Sequence, residues 1–117
     1  MGYMRNHAIC VTSYLPAAIE EAHRWAKENF KVCAVTEITP VAVNGYQSFF
    51  IAPDGSKEWW ETSDAGNKER KDFEDYISTS LAKKFGYCPL DWVEVQYGDD
   101  EGETKIIASD DFREGGK

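Results

Sequence analysis

The chain has 117 residues, a formal net charge of −8 and a sequence pI of about 4.7; 42% of its residues are hydrophobic and 14% aromatic. This is the composition of one folded domain, residues 1–117, with a single hydrophobic core. The acidic balance argues against direct binding of nucleic acid or of an anionic membrane, both of which call for basic residues, and it leaves room for a basic protein partner or a mimic of DNA charge.

No run approaches the roughly 18 apolar residues of a membrane span. Met1 to His7 has no apolar core of a secretory signal, so the expected location is the cytoplasm. Cys10, Cys33 and Cys88 are widely spaced and form no CxxC pair, which fits a reducing compartment and buried thiols. With only His7 and His23 besides, no structural metal site is expected, and no cofactor.

In chain order, His7 to Tyr14 reads as a first strand, apolar on both faces and therefore an inner strand. Pro16 then suits the first turn of a helix, whose stripe is Leu15, Ala18, Ile19, Ala22, Ala26 and Phe30 and whose end falls near Asn29 to Lys31. Glu20 and Arg24 form an i,i+4 pair on its outer face. Val32 to Ile38 predicts a second strand, broken at Thr39-Pro40 and resumed to Val43. Asn44-Gly45 is a type I′ hairpin signal, because both residues tolerate positive φ. Tyr46 to Ala52 is a third strand, Pro53-Asp54-Gly55-Ser56 a second turn, and Lys57 to Thr62 a short fourth strand in which Trp59 and Trp60 point to opposite faces.

Thr62-Ser63-Asp64 is a capping cluster, and a second helix is expected to begin between Asp64 and Asn67. Its stripe is Phe73, Tyr76, Ile77, Leu81 and Phe85, with the charged residues from Lys68 to Asp75 mostly on the solvated side and Gly86 as the stop. Asp91 to Tyr97 alternates as a fifth strand, with Val93, Val95 and Tyr97 on one face and Trp92, Glu94 and Gln96 on the other, taken as outward. After an acidic loop, Thr104 to Ala108 returns as a hairpin strand, and the charged tail from about 110 to 117 is expected to be loose. The order β-α-β-β-β-α-β-β defines an α+β fold: a mainly antiparallel sheet, two helices on one face and a C-terminal hairpin.

No catalytic motif stands out. Cys10 sits mid-strand among apolar neighbours and reads as an inert buried thiol. His7 has the chemistry of a base, but a strand-end histidine with ordinary hydrogen bonds is the plainer reading. The carboxylates of Asp99 to Glu103 lack the spacing of a calcium loop. The binding signal is stronger. Tyr46, Trp59, Trp60 and Trp92 offer flat amphipathic rings that stack on bases or anchor protein interfaces, and Arg70 and Arg113 can pair with a phosphate or carboxylate. An outward Trp92 with Glu94 and Gln96 suggests a homo-oligomer.

Three stretches resemble small phage- and prophage-encoded proteins: His7-Ala8-Ile9-Cys10-Val11-Thr12-Ser13, Asn44-Gly45-Tyr46-Gln47-Ser48-Phe49 through Pro53-Asp54-Gly55-Ser56-Lys57-Glu58, and Pro89-Leu90-Asp91-Trp92-Val93-Glu94-Val95-Gln96-Tyr97-Gly98-Asp99-Asp100. The resemblance implies a viral accessory protein acting in the bacterial cytoplasm. In size and expected architecture the chain is also similar to phage anti-defence sponges of the Thoeris type, oligomers that sequester cyclic nucleotide immune signals; none of their ligand residues maps onto a position here. The expectation is a non-enzymatic protein that sequesters a host target, with a small nucleotide as the ligand. The alternatives are an acidic inhibitor of a host nuclease or repressor and a small-molecule enzyme.

Overall fold

The strand expected from His7 forms as β1 (Asn6–Ser13) and lies inside a five-stranded sheet. The structure is a computed structural model that describes residues 5–57, 60–98 and 104–113, the last two without their side chains. After β1 come α1 (Pro16–Asn29), a 3₁₀ turn (Val43–Gly45), β2 (Gln47–Ile51) and α2 (Glu61–Tyr76). The α2 helix continues through a π segment (Ile77–Leu81) into α3 (Ala82–Phe85), and β3 (Asp91–Tyr97), β4 (Lys105–Ser109) and β5 (Phe112–Arg113) follow. The sheet order is β2-β1-β3-β4-β5, and each neighbouring pair is antiparallel. The α+β class, with its helices on one face and a C-terminal hairpin, is as the sequence predicts.

The core lies between that face and the helices. Helix α1 turns Ala18, Ile19, Ala22 and Ala26 onto the sheet, and the three alanines let its axis approach closely. They meet Ile9 and Val11 of β1 and Phe49 and Ile51 of β2. Each large aliphatic or aromatic side chain buried here contributes about 1.5–3 kcal/mol.

Helix α2 presents Phe73, Ile77 and Leu81, all essentially inaccessible. A strict four-residue spacing drifts about 40° per step around an ideal helix. The wider π turn absorbs part of that drift and keeps the stripe on the core. Its cause is local: the Ser78 and Thr79 hydroxyls donate to the Glu74 and Asp75 carbonyls and compete with the helical ladder. Gly86 closes the helix in the left-handed conformation, φ 84°.

The structure corrects several expectations. The second strand is not a regular strand. Residues 34–42 run beside β2 with sparse bonds: Ala52 N–H to Ala34 O, Thr36 N–H to Phe50 O, Thr39 N–H to Ser48 O, and a single bridge, Val35 to Ile51. The Thr36 and Thr39 hydroxyls accept the Phe50 and Ser48 N–H groups in place of main-chain carbonyls. The ribbon still closes at the expected turn, with Asn44 at φ 63° and Gly45 at φ 78°. Glu61 and Thr62, expected in a fourth strand, form the first turn of α2, which starts before its predicted cap; Glu58 and Trp59 lie outside the described residues. Arg24 pairs with Glu21 at 2.6 Å, not with Glu20. Part of the tail pairs back as β5, and residues 114–117 lie outside the described residues.

The largest correction concerns β3. Trp92, Glu94 and Gln96 are buried beneath the helices, and Val93, Val95 and Tyr97 lie on the other face. By the same register Cys10 is exposed, not a buried thiol.

Candidate functional site

Two clusters of chemistry emerge on opposite sides of the sheet. On the inner side, Arg70 of α2 is 2% exposed and inserts among carboxylates. Its Nη1 lies 3.3 Å from Asp54 Oδ2 and its Nε 3.7 Å from Glu94 Oε2. Its Nη2 donates to Asn67 Oδ1 at 2.6 Å, and Nη1 also faces Cys33 Sγ at 3.6 Å. His7 Nδ1 approaches Glu94 Oε2 at 3.3 Å. Asp54 accepts from the Ser56 N–H and hydroxyl, so the Pro53–Ser56 turn folds its aspartate inward onto the arginine.

Burial works to raise the Glu94 carboxyl, but hydrogen bonds with His7 and Glu74 and the Arg70 charge outweigh it and hold it below its ordinary value. Asp54 follows the same pattern: burial opposes, and Ser56 and Arg70 prevail. Burial also pushes the Cys33 thiol up to about 11. These groups pair by charge across strand, turn and helix, with Arg70 Nε in ion-pair range of Glu94 but making no hydrogen bond. With side chains 2–14% exposed, Arg70, Asp54, Glu94 and His7 form an internal clamp with little surface left for a substrate.

The outer side is different. No described helix covers it. Its rows follow from the register: Phe50, Cys10 and Val93 in one, Ala8, Val95 and Ile106 in the next, Ser48, Thr12 and Asp91 toward one end. Beyond that end stand three tyrosines from three segments, Tyr14 (51% exposed), Tyr46 (37%) and Tyr87 (52%). Tyr14 follows β1 and Tyr46 precedes β2, and their ring centroids are 5.9 Å apart. Ser13 brings in the third: its hydroxyl donates to Pro89 O at 2.8 Å, which draws the loop after α3 against the end of β1. The neighbouring Tyr14 phenol pushes the Tyr87 phenol above its ordinary value. Val41 and Val43, in the segment that leads to Tyr46, are exposed as well.

The residues predicted to bind a ligand are therefore dispersed. Tyr46 is in the tyrosine cluster. Trp60 precedes α2, half-exposed, with Lys57 Nζ 6.0 Å from its ring. Arg70 and Trp92 are inside. Trp59 and the Arg113 side chain lie outside the described residues. Sequence reasoning missed Tyr14, read only as the end of a strand, and Tyr87, which follows the Gly86 stop. An aromatic just past a helix stop was the available signal.

A groove of about 380 Å³ also lies on the helical side, beside stacked Trp25 and Tyr76, whose ring centroids are 4.6 Å apart at 9°. Its acids are engaged: Glu69 accepts the Lys31 and Val32 N–H groups, Asp72 pairs with Lys68 and Asp75 with Lys71. Among the described residues no group of three His, Cys, Asp or Glu side chains is placed to hold a metal ion, and no helix is long and apolar enough to cross a membrane. Comparison with protein-family models, curated proteins and solved structures finds no match to this chain.

Proposed function

We propose that this chain is a non-catalytic binding protein, a phage-type accessory protein that sequesters a host target, and that the tyrosine end of its sheet is where a protein target docks. One observation carries the reading: Tyr14, Tyr46 and Tyr87 are gathered from distant segments yet stay exposed. A core has no use for exposed rings. Tyrosines of this kind give large, rigid, amphipathic contact area with little entropy to lose, which is why they concentrate at protein interfaces. The net charge of −8 favours a basic partner and fast, salt-sensitive association. The nucleotide reading is the weaker of the two, because Arg70, its intended phosphate partner, is already committed to Asp54 and Glu94.

The test is capture from host lysate with the wild-type chain and with Tyr14→Ala/Tyr46→Ala, alongside calorimetric titration with cyclic nucleotides. A protein retained by the wild type and lost from the double variant supports the proposal. Equal capture by both refutes it. Heat from a cyclic nucleotide with no protein captured moves the function to the nucleotide reading.

A further inference from the structure

We propose that two copies of this chain associate face to face through the uncovered side of the sheet, with Cys10 near the centre of the contact. The inference goes beyond the tyrosine end and stands on different residues. In a chain with 29% charged residues, the central rows of this face, Ala8, Cys10, Phe50, Val93, Val95 and Ile106, hold none. Asp91 stands toward the tyrosine end, beside the hydroxyls of Thr12 and Ser48. Exposure is uneven across it: Cys10 is exposed and Ile106 is 53% exposed, Phe50, Val93 and Val95 are half-buried, and Ala8 is 1% exposed, although all sit on the side of the sheet away from the helices.

A basic partner is drawn to carboxylates, and the centre of this face offers none. Two copies, each at −8, repel one another unless they meet where charge is absent. An apolar face can pair with a second copy of itself about a two-fold axis, in which residue i meets j and j meets i, and only residues close to the axis, such as Cys10 near the centre, meet their equivalents. Packed sheets stand about 10 Å apart with side chains interleaved. Four strands spaced by about 4.8 Å and the three rows named above, roughly 6.8 Å apart on one face, cover on the order of 400 Å² of plane, and more as accessible surface. A standard interface uses about 800 Å² per partner, so the face suits a weak dimer at the small end of the range. Pairing would also present two tyrosine ends on one particle, which strengthens binding to any target with two sites.

Sedimentation equilibrium over a hundredfold range of chain concentration tests this. The wild type is expected to move from the 13.3 kDa monomer to twice that mass as concentration rises. Cys10→Glu, which sets two carboxylates against each other at the centre, is expected to raise the dissociation constant at least tenfold, and Ile106→Lys to raise it less. Tyr14→Ala/Tyr46→Ala should dimerise as the wild type does, so failure of the docking proposal and failure of this one are separable. As a check that needs no substitution, thiol labelling of Cys10 in the wild type should slow as concentration rises while Cys88 labels at a constant rate. A monomer at every concentration overturns the proposal. So does a Cys10→Glu chain that folds and dimerises like the wild type, or a Cys10 labelling rate independent of concentration.

Discussion

Asp54 Oδ2 stands 3.3 Å from Arg70 Nη1, with the two side chains 9% and 2% exposed. A charge pair so far withdrawn from water depends on both members being present. Removing one leaves the other buried without compensation, at a cost of about 3–5 kcal/mol. Arg70 answers to Glu94 as well, so Arg70→Met strands two carboxylates and is expected to lose stability at the upper end of that range. Arg70→Lys keeps the charge but not the fork that reaches Asp54, Asn67 and Glu94 together, and should lose less. Urea denaturation of the two variants measures both. A loss below about 1 kcal/mol for Arg70→Met would show that the clamp is not buried as described.

The same contact explains Gly66. A Cβ at this position would lie 2.1 Å from Asp54 Oδ2, so the helix can carry no side chain where the aspartate crosses it. In an open helix, glycine to alanine gains up to about 1 kcal/mol. Here Gly66→Ala is expected to lose about 1–3 kcal/mol, because the carboxylate must move off Arg70. In an Asp54→Ala background the clash disappears and Gly66→Ala becomes neutral or favourable. That reversal of sign in a double-mutant cycle is the measurement.

This clamp shows where the sequence is legible and where it is not. Strand β3 begins and ends where alternation places it, at Asp91 and Tyr97, yet alternation identifies two faces without saying which is inner. Trp92, Glu94 and Gln96 look like the wet face because two of the three are polar. They are inside because Arg70, distant in sequence, supplies the charge that Glu94 needs. Trp92 joins them, with its indole N–H unpaired, because burying so large a ring outweighs one lost hydrogen bond. On β1 both faces are apolar, so nothing local marked Cys10 as exposed. Signals that act within a few residues were readable: the Asn44-Gly45 turn, the Gly86 stop and the Pro16 start. The ribbon of residues 34–42 has the β-propensity of a strand, but Thr36 and Thr39 offer hydroxyls where a ladder offers carbonyls, so no regular strand forms. The tyrosine cluster needed the Ser13 to Pro89 bond, a tertiary contact with no local signature.

Acid should loosen the clamp. Asp54 and Glu94 are both held below their ordinary values in the folded chain. Groups with depressed folded values stabilise above their unfolded pKa, about 3.9 for Asp and 4.3 for Glu, and that stability drains as pH falls through the folded values. The denaturation midpoint is therefore expected to fall as pH drops below about 4.5. Asp54→Asn, already weakened at neutral pH, should show a shallower decline, because one of the two titrating groups is gone. An identical slope in both chains would remove Asp54 from the account.

Thiol labelling separates the two sides of the sheet. Cys33 is buried beside Arg70, and its thiol is pushed up to about 11. At pH 8 it stays protonated, and its burial shields it from reagent. Cys10, on the uncovered face, is exposed. At low chain concentration Cys10 is expected to label promptly and Cys33 only as fast as the chain opens. Partial denaturant should accelerate Cys33 while leaving Cys10 nearly unchanged. Peptide mapping after a timed quench assigns each rate. The opposite order, with Cys33 fast and Cys10 protected even when dilute, would invert the sheet's two faces. It would overturn both the Arg70 clamp and the proposed contact between copies, which depend on the same orientation of β1 and β3.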